Sequence, residues 1–312
     1  MKILITGGAG FIASHIVDKY IELGHEVVVV DDLSSGKLSN VNPQAKFYNC
    51  DISEQELIKI FKIELPDVIS HHAAQISVPI SVKKPQLDLE INIKGLINLL
   101  EACVKYSVKK VIFSSSGGAI YGEAVEYPTD ENYIPKPLSP YGINKYFSEV
   151  YLNYFKQSFG LDFTILRYSN VYGPRQIAHG EAGVVSVFIE KYFKKEIPHL
   201  FAYPEEPDGM IRDYIFVNDV VNANILSLEK ASGEIINIGS GIGISTGQLL
   251  REISLQMKKE FNPFRAGPRE GDLRKSCLNI KKALKVLNWK PEYNLSQGLN
   301  KTITFFNYKE GI

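Results

Sequence analysis

Apolar positions fall into two rhythms that alternate through the first half of the 312-residue chain. Continuous runs at 2–6 (KILIT), 26–31 (EVVVVD), 67–72 (DVISHH), 110–115 (KVIFSS) and 162–168 (DFTILRY) predict buried strands. Between them, helical spacing recurs over about 11–23, 53–62, 87–105 and 140–158. Alternation of this kind predicts an α/β fold, a doubly wound parallel sheet covered on both faces, with right-handed crossovers. After residue 174 the rhythm changes. Residues 202–211 (AYPEEPDGMI) read as a polar, proline-rich loop, 234–240 (EIINIGS) as another strand, and STGQLLREISLQM as a helix boxed by Ser245 and Gln248. We therefore expect residues 1–173 in a first lobe, to which the chain returns at about 214–240. Residues 174–213 and 241–312 are expected in a smaller lobe interwoven with it. No internal repeat stands out.

One helix has both ends written into the sequence. In SPYGINKYF (139–147), Ser139 suits the N-cap and Pro140 the first helical position, and Gly160 is a stop, so 140–158 reads as one helix. At about 100° per residue, Tyr141 and Lys145 lie within about 40° of each other. Ile143, Phe147, Val150 and Tyr154 cluster on the opposite face, a stripe that can bury against a core or a partner helix. The Tyr/Lys face is left for another task.

Composition narrows the partners. Hydrophobic content of 45% supplies a sizeable core, and 35 basic residues balance 35 acidic ones. No overall field is present to hold nucleic acid or anionic lipid, so a small molecule is the expected partner. Cys50, Cys103 and Cys277 are too far apart for a local metal-binding pair, and no metal is expected. Three cysteines make no complete disulfide framework, which predicts buried thiols in a reducing compartment. The opening MKILITGGAG is too short for a secretory apolar segment, and the expectation is a cytoplasmic protein with no membrane span.

The first strand runs into GGAGFIASH, which places Gly7, Gly10 and Ala13 at GxxGxxA spacing where a helix begins. Small residues there let the backbone turn tightly, approach a pyrophosphate and pack helix on strand. Asp31 ends the second strand, where a carboxylate can accept both hydroxyls of an adenosine ribose; the alternative is a turn cap. Asp32 beside it would repel a 2′-phosphate, so NAD is expected rather than NADP. The GSGIG at 239–243 lacks a following acid and reads as the turn before the next helix.

Ser114, Ser115 and Ser116 end the strand KVIFSSS, at the edge where parallel sheets hold ligands. With GxxGxxA, Ser116 in SSSGGAIYG and Tyr141xxxLys145, the chain resembles the extended short-chain dehydrogenase/reductases, whose Rossmann-like fold is the doubly wound sheet expected above. RYSNVYGPRQ (167–176), RDYIFVNDV (212–220) and PREGD (268–272) narrow the resemblance to the nucleotide-sugar epimerases, the UDP-glucose 4-epimerase family above all.

That resemblance implies a set of roles, residue by residue. Ser116, Tyr141 and Lys145 form the catalytic set: Tyr141 as base, Lys145 also holding the nicotinamide ribose, and Ser116 bonding the sugar's 4-oxygen. An ammonium one turn away and a positive nicotinamide ring are expected to lower the phenol's pKa. Around NAD, Phe11 and Ile12 flank the pyrophosphate, Ser34, Ser35 and Gly36 follow the ribose-binding acid, and Asp51 with Ile52 meets adenine. Ala73, Ala74 and Gln75 line the cofactor, Asn92 supports that loop, Ser114 adjoins it and Tyr168 packs near the nicotinamide. His72 stands where the family carries a larger apolar residue, and both it and His71 read as core or hydrogen-bonded histidines. Ser77, Asn170, Val184, Val185, Phe201, Arg212, Arg269 and Asp272 match positions that embrace a nucleoside diphosphate, for which arginine forks are suited. Ala202 takes the place of a common glycine.

The implied activity is reversible C4 epimerisation of a UDP-hexose through a 4-keto sugar. Dehydration or decarboxylation begins with the same oxidation, but residues 117–120 (GGAI) offer no carboxylate for the added proton transfers of dehydration. A non-catalytic NAD-binding regulator is the remaining alternative. The resemblance also implies a homodimer in which helices 87–105 and 140–158 pair across a twofold axis. Ser276, four residues after Asp272, falls where such epimerases carry a tyrosine or a small residue beside the sugar's C2 substituent. A small side chain there leaves room for an N-acetyl group unless Phe201 or Tyr203 closes the space.

Overall fold

The protein is described by a computed structural model covering residues 1–177, 183–269 and 273–310. Seven strands form one wholly parallel sheet: β1 (Lys2–Thr6), β2 (Glu26–Asp31), β3 (Lys46–Asn49), β4 (Val68–His71), β5 (Lys110–Ser116), β6 (Asp162–Tyr168) and, from much later in the chain, Glu234–Ile238. β1 lies between β2 and β4, so strand order reverses there. A crevice opens at the carboxyl ends of the strands on either side of such a reversal.

Both sheet faces are covered, which is why the strands read as unbroken apolar runs. On one face α1 (Phe11–Glu22) buries Ala13, Ile16, Val17 and Tyr20. On the other, α2 (Glu56–Glu64), α5 (Gly95–Lys105) and α6 (Pro140–Phe159) close over Val28, Ile69, Phe113 and Phe163. The helix expected over 87–105 is interrupted: α3 (Val78–Lys83) and α4 (Pro85–Leu89) precede a π-helical turn at Glu90–Lys94 that leads into α5. β3 and α3 had no counterpart in the hydrophobic pattern; β3 is a half-exposed edge strand of four residues.

The chain then builds a second layer. β7 (Asn170–Tyr172), α7 (Val184–Phe193), β8 (His199–Phe201) and β9 (Ile211–Phe216) are followed by α8 (Val217–Ser227), which returns to pack beside α1, and by the sheet's seventh strand, β10 (Glu234–Ile238). β11 (Gly243–Ser245), α9 (Thr246–Gln256), β12 (Phe264–Ala266), α10 (Lys281–Leu287) and α11 (Leu295–Glu310) complete it. β9 joins β7 and β11 in a small sheet, and β8 pairs with β12. Ser245 and Gln248 form the expected capping box on α9, with bonds of 3.0 and 3.1 Å. GSGIG forms the expected turn, its last residue Gly243 opening the short strand β11 that leads into α9.

Helix α6 is capped as its sequence predicts. The Ser139 hydroxyl accepts the Gly142 N–H at 3.2 Å, Pro140 follows, and Gly160 turns left-handed at φ 73°. Its apolar stripe is not used by the chain's own core: Ile143, Phe147, Val150 and Tyr154 are 40%, 52%, 48% and 52% exposed. The buried face is polar in its first half, with Asn144, Lys145, Ser148 and Glu149, and apolar toward its end, with Leu152 and Phe155. All three cysteines are buried free thiols. No helix among the described residues is long and apolar enough to cross a membrane.

Candidate active site

Backbone geometry shapes the turn after β1. Gly7 adopts φ +70°, and a Cβ there would stand 2.7 Å from the Ala73 nitrogen, so the loop after β4 passes too close for any side chain. Gly10 is the N-cap residue of α1, and Phe11 and Ile12 form its first turn, whose free N–H groups favour an anion. Thr6 ties the two strand ends together, its hydroxyl 3.2 Å from both the His72 and Ala73 nitrogens and 2.7 Å from His71 Nδ1.

Asp31 is buried at the end of β2 and accepts the Ala9 and Leu33 N–H groups at 2.9 and 2.8 Å, while burial raises its pKa. Each oxygen holds one backbone bond and keeps acceptor capacity for a ribose hydroxyl. A Cβ on Gly36 would come within 2.9 Å of Asp31 Oδ1, so the next loop also hugs the carboxylate. Asp32 is exposed and accepts the Ser34 N–H and hydroxyl at 2.9 and 2.6 Å; Ser35 is exposed beside it. Asp51 accepts the Ser53 N–H at 2.8 Å, and Ile52 is buried. A glycine cradle, a helix N-terminus and a buried acid fit a dinucleotide.

Ala73, Ala74 and Gln75 leave β4 along this crevice. The side chain of Asn92, on the π-helical turn, accepts the Gln75 N–H at 2.9 Å and donates to its carbonyl at 3.0 Å. A π turn shifts the side chains that follow it relative to the helix before it, and such turns recur at functional sites. Ser77 caps α3 through its hydroxyl, which accepts the Ile80 N–H at 3.3 Å. Gln75 is committed to protein partners: its amide donates to Asp88 at 2.6 Å and accepts the Ser77 N–H at 2.6 Å.

Ser116, Tyr141 and Lys145 meet at the carboxyl end of β5. Lys145 Nζ donates to the Ser114 carbonyl at 2.9 Å and sits 4.9 Å above the Phe113 ring centre. Burial pushes the Tyr141 phenol up to about 12, and the neighbouring Ser116 hydroxyl opposes that rise. Burial likewise brings Lys145 down to about 8, against the opposing charges of Asp88 and Glu149. The expected depression of Tyr141 by its lysine is therefore not found in the protein alone. The ammonium is turned to a carbonyl, and desolvation outweighs it.

His71 is buried and His72 partly so, and desolvation pulls both pKa values down, His72 to about 3. His72 Nε2 lies 3.3 Å from the Tyr168 hydroxyl, which accepts the Asn224 amide at 2.8 Å. Both histidines are neutral and hydrogen-bonded.

A second group of expected residues lies around β7, β8 and β9. Asn170 opens β7, and a Cβ on Gly118 would lie 3.7 Å from its Oδ1 and 3.9 Å from Ser116 Oγ, so both atoms border one gap. Val184 and Val185 form the first turn of α7. Phe201 ends β8, with the Arg269 guanidinium 4.8 Å from its ring centre. Arg212 lies in β9 and donates to the Ile211 carbonyl at 2.9 Å, and that carbonyl accepts the N–H of buried Ser276 at 3.0 Å. Asp272 lies outside the described residues.

The pattern reading missed the buried charges that brace these groups. Asp213, next to Arg212, accepts the Ser240 N–H and hydroxyl at 2.7 and 2.6 Å, the Gly241 and Leu278 N–H groups at 3.2 Å, and the Ser169 hydroxyl at 3.3 Å. Glu149 accepts Ser115 at 2.6 Å and pairs with Arg167 at 2.6 Å, with both charged side chains almost wholly buried. Tyr141, Lys145 and Glu149 succeed one another at intervals of four, so the sequence held a signal for Glu149. Asp88 offered none, because its neighbours in the fold come from distant segments.

Residues 3–239 match the model of the NAD dependent epimerase/dehydratase family. A putative UDP-glucose 4-epimerase of Methanocaldococcus jannaschii is 44% identical over 97% of each chain. A crystal structure of UDP-glucose 4-epimerase with UDP-glucose from Thermotoga maritima superposes with a TM-score of 0.96 at 48% identity, covering 99% of this chain and 100% of that one. The Thermus thermophilus UDP-glucose 4-epimerase in complex with NAD superposes with a TM-score of 0.93 at 42% identity, over 98% and 99% of the two chains.

Proposed function

The chain belongs to the NAD dependent epimerase/dehydratase family, and from that premise we propose that it interconverts UDP-glucose and UDP-galactose by inverting C4 through a 4-keto sugar. NAD bound in the crevice bordered by Gly7 and Asp31 would supply a reversible hydride acceptor for C4. Tyr141 takes the proton of the 4-hydroxyl and later gives it back, while Ser116 donates to the 4-oxygen as charge develops there. Lys145 is positioned to hold the nicotinamide ribose. Burial holds the phenol's pKa high, and a positive charge beside it would favour its ionisation. The observation that carries the reading is the convergence of Ser116, Tyr141 and Lys145 at the end of β5, beside the crevice that Gly7 and Asp31 border. Product analysis with UDP-galactose tests it: UDP-glucose is expected, and a 4-keto-6-deoxy sugar or no product would overturn it.

Several finer assignments accompany this reading. Residues 1–173 with the return at about 214–240 are assigned to the NAD-binding domain. Residues 174–213 and 241–312 are assigned to the nucleotide-sugar lobe, where Ser77 from the first domain, Asn170, Val184, Val185, Phe201, Arg212, Arg269 and Asp272 contact the substrate. Buried Ser276 beside β9 favours a pocket that admits an N-acetyl group at C2. UDP-N-acetylglucosamine should then be epimerised as well, and Ser276→Tyr should lose that activity selectively; equal loss of both activities would remove Ser276 as the gate. The exposed stripe of α6, with Leu89 53% exposed on the neighbouring α4, favours a homodimer through these helices. Sedimentation at micromolar concentration tests it, a monomeric mass being the adverse result. Free buried thiols suit the reducing cytoplasm.

A further inference from the structure

We propose that Asp88 is a positioning residue for the Tyr141/Lys145 pair, locking the catalytic helix to the cofactor loop and holding a negative charge close to both groups. The inference rests on the reading of Tyr141 as the base. Asp88 lies at 0% exposure on α4, a helix of five residues followed directly by the π-helical turn. Its two oxygens divide their bonds between two structural elements. Oδ1 accepts the Gln75 amide at 2.6 Å, and Oδ2 accepts the Asn144 amide at 2.7 Å. Gln75 belongs to the loop that leaves β4, and Asn144 immediately precedes Lys145 in α6. One carboxylate thus spans the gap between the cofactor loop and the catalytic helix.

A charge with no solvent exposure is costly to maintain, and two amide donors are a modest compensation for a carboxylate. Polar groups of the same shape could make the same bridge without a charge. What the charge adds is electrostatic. The other ionisable groups facing this pair are Glu149 from the same helix, itself paired with Arg167 from β6, and the neutral His71, which ends β4, and His72, which follows it. With Glu149 held by an arginine, Asp88 is the carboxylate near the pair that has only neutral donors as partners. It opposes the loss of the Lys145 proton and opposes ionisation of Tyr141, so both groups titrate higher than they would without it. The consequence is a lysine that keeps its proton through the neutral range and a tyrosine that stays neutral until positive charge arrives with the cofactor.

The sign of the effect gives the test. Replacing Asp88 by asparagine removes a negative charge, so both Tyr141 and Lys145 should titrate at lower pH, by about one unit. Phenol titration is read by ultraviolet absorbance of the holoenzyme, as the difference between each Asp88 form and the same form carrying Tyr141→Phe. In Asp88→Asn the Tyr141 component should move to lower pH, and both limbs of the pH–rate profile with UDP-galactose should move with it. Asp88→Glu, which keeps the charge, should return the titration toward that of the wild type. If asparagine cannot satisfy two amide donors and the protein does not fold, Asp88→Ser, with room for a bridging water, carries the same measurement. A slower enzyme whose phenol titration and pH limbs stay in place would show Asp88 to be a structural strut only and would overturn the proposal. Failure of the epimerase reading looks different: the wild type forms no C4 epimer, whatever the phenol titration shows.

Discussion

The two ends of the proposed cofactor site are built by different means. Around Gly7 and Asp31, the site is made almost wholly from backbone: a positive-φ turn, a helix N-terminus, and a carboxylate held by the N–H groups of Ala9 and Leu33. Around Tyr141 and Lys145, it is made from side chains that five segments bring together, with buried carboxylates on two sides. Backbone geometry depends on residues close in sequence and tolerates few alternatives. Side-chain electrostatics depends on residues that are remote in sequence and on their burial. The first end is therefore fixed by sterics and the second by charge, and substitutions should separate them: the phosphate end should fail in cofactor retention and the chemistry end in turnover.

The largest expected effect is at the chemistry end. Tyr141→Phe should lower turnover by about 10²- to 10⁴-fold, the range for a positioned acid or base, while NAD remains bound because the ring still packs. Cofactor content of the purified variant and its initial rate check both halves together. Loss of NAD in parallel with the rate would mean that the two ends are not separable.

Next comes the brace behind the pair. Glu149→Gln leaves the Arg167 guanidinium buried without its carboxylate, and breaking a buried pair this way costs about 3–5 kcal/mol. Denaturant unfolding should show that loss. Glu149 also raises the Lys145 pKa, so its removal should move the Lys145 limb of the pH–rate profile to lower pH. A stable variant with an unmoved limb would mean that Arg167 already cancels the charge.

Smaller still is Gly7→Ala. A left-handed φ costs an alanine roughly 1–2 kcal/mol, and the added methyl would also meet the Ala73 backbone at 2.7 Å. The two loops must part to admit it, so NAD retention should fall more than the rate measured at saturating NAD. An equal fall in both would tie the glycine turn to the chemistry and weaken the contrast.

These differences also explain what could be read from sequence. The glycine turn, Asp31, the capped helix α6 and the box on α9 were legible because each depends on residues within a few positions of one another. The interruption at Glu90–Lys94 was not, since a run with helical spacing does not reveal one inserted residue. Asp88 and Asp213 were hidden for another reason: a buried acid in sequence is indistinguishable from a solvated one until its donors arrive from elsewhere. The stripe on α6 lay between. Its four apolar positions were plain, but only the fold shows that the chain's own core leaves them uncovered.

The smallest effect expected is at the outer rim of the phosphate end. Asp32 is exposed, and its carboxylate is steadied by the Ser34 N–H and hydroxyl, so it stands next to Asp31 as a second negative charge at the ribose position. A 2′-phosphate brought there meets both acids. In water, two unit charges at contact distance interact by about 1 kcal/mol, so Asp32→Asn should improve NADP binding by about fivefold while leaving NAD binding nearly unchanged. Because the charge is exposed, the gain should shrink as salt is raised, the Debye length falling to about 10 Å at 0.1 M ionic strength. Titrating both cofactors against the variant at low and high salt separates this from a steric effect. A gain for NADP that ignores salt would point to space rather than charge, and no gain would leave the whole discrimination to buried Asp31.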